Sequence, residues 1–173
     1  PDLNTFFGYN SDELDGTTGC TCNGGVSTFC DNPPAQSITL LNNEMNSFMY
    51  YANQNYIIDS ITNDPTMPSH FYNYMNSKWK DGSSLTFGEN GYAGVQPTNF
   101  AFPNNPNDPT GWSMNTSTPI EGDMRSVAST YYGNLETDEV MTFDLAFTFH
   151  QDTGLNHLEI VNSVYDNVPL LQE

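Results

Sequence analysis

Met-Thr-Phe-Asp-Leu-Ala-Phe-Thr-Phe-His, residues 141–150, carries the clearest periodicity in the chain. Met141, Phe143, Leu145, Phe147 and Phe149 fall at every second position, and Thr142, Asp144 and Thr148 stand between them. Successive side chains of a strand point to opposite faces, so this alternation predicts a half-buried antiparallel strand over 139–150. The phenyl row is expected against a core and the polar row in solvent. Residues 124–132 read as its hairpin partner, joined through turn residues between Gly133 and Asp138.

Outward from this stretch the pattern stays mostly β. Met45 to Tyr51 alternates loosely and is rich in aromatics, which favours a strand. Ser69 is the expected N-cap of a helix ending at Asp81-Gly82, with Phe71, Met75 and Trp79 on one face. A second helix is expected from about Asn156 to Val168, with Leu158, Val161, Tyr165 and Val168 as its stripe and Pro169 ending or kinking it. Residues 88–122 are dense in Gly, Pro and Asn, which force turns; Phe100, Phe102 and Trp112 are the anchors there. Residues 1–36 lack periodicity and read as an irregular, cysteine-pinned loop. The expectation is a single mainly-β domain over 1–173, an antiparallel sandwich-like fold with two peripheral helices and long ordered loops.

Composition narrows the function. The apolar content is 36%, but 11 Phe, 10 Tyr and 2 Trp supply large buried areas and argue against disorder. Twenty-one acidic residues face only Lys78, Lys80 and Arg125, for a formal net charge of -18. That field repels phosphate backbones and anionic headgroups, which excludes nucleic-acid binding and electrostatic membrane attachment. No stretch reaches the ~20 apolar residues that span a bilayer. Arg125 is expected to form an internal fork with a carboxylate, and Lys78 and Lys80 to flank the Trp79 anchor.

Cys20, Cys22 and Cys30 share one Gly-rich loop. An extracellular chain would bridge Cys30 to one of the other two and leave one over, whereas zinc lacks a fourth ligand at suitable spacing. Asp12, Glu13 and Asp15 form an acidic loop beside the cysteines, and Asn104, Asn105, Asn107 and Asp108 form another. Hard oxygens suit calcium, so both loops are candidate Ca2+ sites; neither has the spacing of an EF-hand, and solvated loops are the plainer reading. His150, Asp152 and His157 are close in sequence, but a strand-end and a helix-face histidine need not converge. Serine nucleophile elbows, phosphate-binding glycine loops and zinc-protease helices are absent from the sequence, and no carboxylate pair stands out for glycoside hydrolysis. A non-catalytic chain is expected.

Phe71-Tyr-Asn-Tyr-Met-Asn-Ser-Lys-Trp-Lys-Asp-Gly82, followed by Leu85-Thr-Phe-Gly-Glu-Asn-Gly91, resembles the YYNYLxGxWKDGxPxTYGGNGY signature of large exported proteins of Bacteroidetes. Asn99 to Trp112 is similar to their CxFMFPGDTDPxGW segment, and Gly122 to Ser129 to xxDRRFxxSxGPFTL. Met124 replaces the first Arg of the Arg-Arg pair, and Asn104 and Asn105 stand where the family has Gly and Asp, which weakens any cation site in that loop. The resemblance implies type IX secretion cargo, extracellular or on the outer cell surface, whose sorting domain would follow this segment and engage the secretion machinery. The chain begins at Pro1 without an initiator Met, in keeping with a piece of a longer protein. Asp59-Ser60-Ile61 is similar to the O-glycan acceptor site of these bacteria, which marks Ser60. Asn115-Thr116-Ser117 is a weaker sequon. The role so implied is structural or adhesive, with glycans or surface proteins as partners. The alternatives are an accessory domain of a secreted hydrolase and a self-assembling filament or coat subunit.

Overall fold

The computed structural model describes residues 3–21, 25–53, 61–117 and 123–172. The fold is mainly β, with antiparallel sheets and two short helices. The elements run β1 (Thr5–Gly8), β2 (Ala35–Leu40), β3 (Ser47–Ala52), α1 (Pro68–Met75), β4 (Met124–Ser129), β5 (Leu145–His150) and α2 (Ile160–Asn167), which passes into a 3-10 turn over Val168–Leu171. Two compact units form: one is Glu44–Val140, the other joins the residues up to Asn43 to those from Met141 onward.

In the Glu44–Val140 unit, β3 pairs antiparallel with β4, from Ser47 opposite Ser129 to Ala52 opposite Met124. The expected 124–150 hairpin does not form, since β5 pairs with β2 in the other unit. Helix α1 starts at Pro68 rather than behind a Ser69 cap, because proline's fixed φ and missing N–H suit the first turn. It ends at Met75, so Trp79 lies beyond it. Phe71 and Met75 are about half exposed, and the buried helical anchor is Tyr74.

Trp79 sits at the centre of a core with Met49, Tyr50, Tyr74, Leu85, Ala101 and Trp112. Its ring meets Tyr50 edge-on at 5.7 Å, and Phe102 packs on Trp112 at 5.0 Å. Three successive carbonyls tie the irregular chain to this core. Trp112 Nε1 donates to the Glu89 carbonyl at 2.9 Å, the Tyr50 hydroxyl to Asn90 at 2.7 Å, and Trp79 Nε1 to Gly91 at 2.9 Å. Buried donors are thereby satisfied by a loop with no strand to pair with. Gly91 is required there: φ is +76°, and a Cβ would lie 2.6 Å from Leu85 Cδ1. Lys80 Nζ donates to Asn63 Oδ1 at 2.6 Å and to the Asp64 carbonyl at 3.0 Å. Arg125 pairs with Asp123 at 3.5 Å in a single contact on the surface, in place of the expected internal fork.

Trp79→Ala should cost about 3–5 kcal/mol through the cavity it leaves, since the Gly91 carbonyl keeps the Thr86 N–H and hydroxyl as donors. Phe71→Ala on the half-exposed side of α1 should cost only about 1 kcal/mol. Urea unfolding followed by Trp112 fluorescence measures both.

Candidate functional site

The second unit places small and hydroxyl side chains on one sheet face and large apolar ones on the other. The strands run in the order β1-β2-β5, all antiparallel. Ala35, Ser37 and Thr39 of β2 lie on the face shared by Phe7 and Thr5 of β1 and by His150, Thr148 and Ala146 of β5. Ile160, Val161, Val164 and Val168 pack with Ala35 on this side, and Tyr165 meets Phe7 edge-on at 5.7 Å. Short strand side chains let the bulky helix approach closely, and the buried hydroxyls satisfy one another. Thr5 Oγ1 pairs with Thr39 Oγ1 at 2.6 Å, and Ser37 Oγ with Thr148 Oγ1 at 2.5 Å.

The opposite face therefore carries the large residues. Phe6, Ile38 and Phe147 form one cross-strand row, Gly8, Gln36 and Phe149 the next, and Leu40 faces Leu145. Phe147 is 72% exposed and Phe149 52%. The phenyl row of β5 thus looks outward, the reverse of the expected orientation, and the strand spans Leu145–His150 rather than the whole of 139–150. Segment 1–36, expected to be wholly irregular, supplies β1 and the start of β2.

The cysteine loop folds beside the Phe149 end of this face. Cys20 is bridged to Cys30; Cys22 lies outside the described residues. The Asp15 N–H donates to the Cys30 carbonyl at 2.9 Å, and the Phe29 N–H to Asp15 Oδ2 at 2.9 Å. Phe29 is thereby held 5.7 Å from Phe149, ring centre to ring centre. Next to it opens a cleft of about 320 Å³, whose wall includes Tyr9, Asn10, Asp15, Phe29, Pro33 and Gln36. Apolar rings and prolines with a few convergent amide and carboxylate groups are the usual make-up of a recognition cleft. Sequence reasoning missed this part of the site, although Phe29 beside a bridged cysteine is a legible signal for a presented aromatic.

Asp12, Asp15, Asn105 and Asp108 of the candidate calcium residues serve as acceptors of nearby loop donors, and Asn107 donates. Asp12 Oδ1 takes the Leu14 N–H at 3.0 Å, and Asp15 is occupied by Phe29 as above. Glu13 is exposed. Asn105 Oδ1 takes the Asn107 N–H at 2.9 Å, while Asp108 Oδ1 takes the Thr110 N–H at 2.9 Å and its hydroxyl at 2.7 Å. These bonds, the Thr110 hydroxyl foremost, hold the Asp108 carboxyl below its usual range. Among the described residues, no three His, Cys, Asp or Glu side chains form a group that could hold a metal ion. Ser60 lies outside the described residues. No helix among the described residues is long and apolar enough to cross a membrane. Lys78, Lys80 and Arg125 all belong to the other unit, so the unit bearing the phenyl face contains no Lys or Arg.

His150 ends β5 on the helix-covered side, with Nε2 3.0 Å from Thr148 Oγ1. Burial pulls its pKa below the ordinary 6.5. The chain matches no known protein family, no curated protein and no solved structure.

A histidine whose folded pKa is depressed binds its proton more readily once unfolded. Its contribution to stability is present above about pH 6.5 and is lost as pH falls towards the lower folded value. Wild type should therefore lose stability relative to His150→Gln between about pH 7.5 and pH 5.5, read as diverging urea midpoints. Parallel midpoints across that window would count against the assignment.

Proposed function

We propose that this chain is a non-catalytic segment of an exported bacterial protein, structural or adhesive in role, and that it makes contact through the phenyl face of β1-β2-β5 and the cleft beside Phe29. The observation that carries the reading is the exposure of Phe147 and Phe149 side by side with Phe29. Scattered surface phenylalanines are ordinary, but a contiguous row on one sheet face marks an interaction surface. Each ring contributes about 1.5–3 kcal/mol when a partner covers it. Gln36, Asn10 and Asp15 at the margin supply the polar contacts that glycans and surface proteins require.

Export by the type IX route is supported by the ordered run of motif resemblances, and only lightly by the Cys20–Cys30 bridge, which suits an oxidising compartment. The same route would make Ser60 a glycan acceptor, seen as sugar-sized increments in the intact mass. A net charge of -18 suits a protein kept dispersed outside the cell.

Antibodies against the chain should label intact producing cells or their medium. The purified chain should bind immobilised surface glycans or surface proteins. Phe147→Ser with Phe149→Ser should abolish that binding while costing only about 1–3 kcal/mol of stability, because both rings are mostly or half exposed. Retention inside the cell, or undiminished binding by the double variant, would contradict the proposal.

A further inference from the structure

Strand β5 lies at the open edge of its sheet, with β2 on its other side. Among the described residues, no backbone hydrogen bond from another segment reaches Leu145–His150 along that free edge. Exposed edges template the pairing of further strands, so proteins usually blunt them with charges, prolines, bulges or brevity. β5 uses none of these. Its sequence Leu-Ala-Phe-Thr-Phe-His holds no Lys, Arg, Asp, Glu or Pro, and its register with β2 runs without a bulge from Leu145 to His150. The opposite edge strand β1 is only four residues long, and β4 in the other unit carries the charged Arg125.

Charge decides what would pair there. The strand is flanked by Asp144 and Asp152, and Asp12, Glu13, Asp15 and Asp31 belong to the same unit, which has no Lys or Arg to balance them. A second copy would bring the same uncompensated field to the contact and be repelled. A strand carrying cationic side chains would be drawn in and held at both ends.

We infer that the free edge of β5 accepts an extended, Lys- or Arg-bearing segment of another polypeptide as a fourth strand. The added backbone pairs with Leu145–His150 over about 20 Å, the span of six residues in a strand. Its alternate apolar side chains extend the Leu145-Phe147-Phe149 row, and its basic residues meet the flanking carboxylates. Main-chain bonds supply affinity in this mode, and alternate side chains supply selectivity. The inference rests on the reading of the phenyl face as the contact surface and specifies the partner's chemistry.

The test uses the full chain, isotopically labelled, and a blocked synthetic peptide of about ten residues alternating Lys and Val, with a Glu-Val peptide as control. Amide hydrogen exchange is read residue by residue over β5. The Lys-Val peptide should slow exchange of the outward-pointing β5 amides by about tenfold or more and bind less tightly as salt rises. Phe147→Lys should remove both effects, and Val95→Lys, at a fully exposed site in the other unit, should remove neither. Peptide binding without β5 protection would overturn strand addition yet leave the phenyl face as a contact surface. Equal binding of the Glu-Val peptide, or no binding of either, would overturn the inference. Protection that grows with chain concentration alone would overturn it in favour of a second copy. Surface binding that survives Phe147→Ser with Phe149→Ser would instead remove the underlying reading of the face.

Discussion

The packing of α2 against Ala35, on the small-residue face of β2, determines which side of the β1-β2-β5 sheet meets solvent. Ile160, Val161, Val164 and Val168 bring enough bulk of their own to fill the space above small strand residues. Had the helix met the Phe147 face, large side chains would have confronted large ones, and overpacking is costly. The hydroxyls on the covered face remain buried at modest cost because they bond across the strands, Thr5 to Thr39 and Ser37 to Thr148. Period-two geometry then leaves no choice: with the small face under the helix, Leu145, Phe147 and Phe149 of β5 stand on the other side. The exposed phenyl row is thus a consequence of the unit's own core.

Glu44–Val140 solves a different problem with the same residue types. Its chain over residues 76–117 is almost entirely turn and loop, and it is held by the aromatic donors that end on the Glu89, Asn90 and Gly91 carbonyls. Aromatic side chains combine large apolar bodies with one polar tip, which is what an irregular backbone with unsatisfied carbonyls needs. Two of the three basic residues also have structural duties there, Lys80 on Asn63 and Asp64 and Arg125 on Asp123. The segregation leaves the phenyl-faced unit with an acidic field that it cannot neutralise internally. Aromatics serve as internal fasteners in one unit and as a presented surface in the other.

The existence of most elements was legible in the sequence, because alternation and aromatic enrichment are local signals. Pairing was not. Met124–Ser129 and Leu145–His150 are near neighbours in the chain, yet each pairs with an upstream strand, and nothing local to either announces that choice. Nor does alternation say which face turns inward; the small residues of β2 and the apolar stripe of α2 decide that together. The α1 reading erred for a simpler reason, that Pro68 outranks Ser69 as a start signal and Ser77, at φ +52°, breaks the helical path before Trp79. Of the site, the Phe147 and Phe149 row is visible as alternation, which favours burying it and carries no sign of the helix that covers the opposite face. The cleft depends on a loop closed by Cys20 and Cys30, whose path no period encodes.

Everything proposed for function depends on the phenyl face being open in the folded chain. Fluorine NMR of the chain labelled with fluoro-phenylalanine, with a soluble paramagnetic probe added, measures this ring by ring. The account predicts strong broadening of the Phe147 and Phe149 resonances, with Phe48 and Phe102, packed against the Trp79 core, largely spared. Equal protection of Phe147 and Phe149 would show that the chain covers this face itself, and would contradict the account at its base.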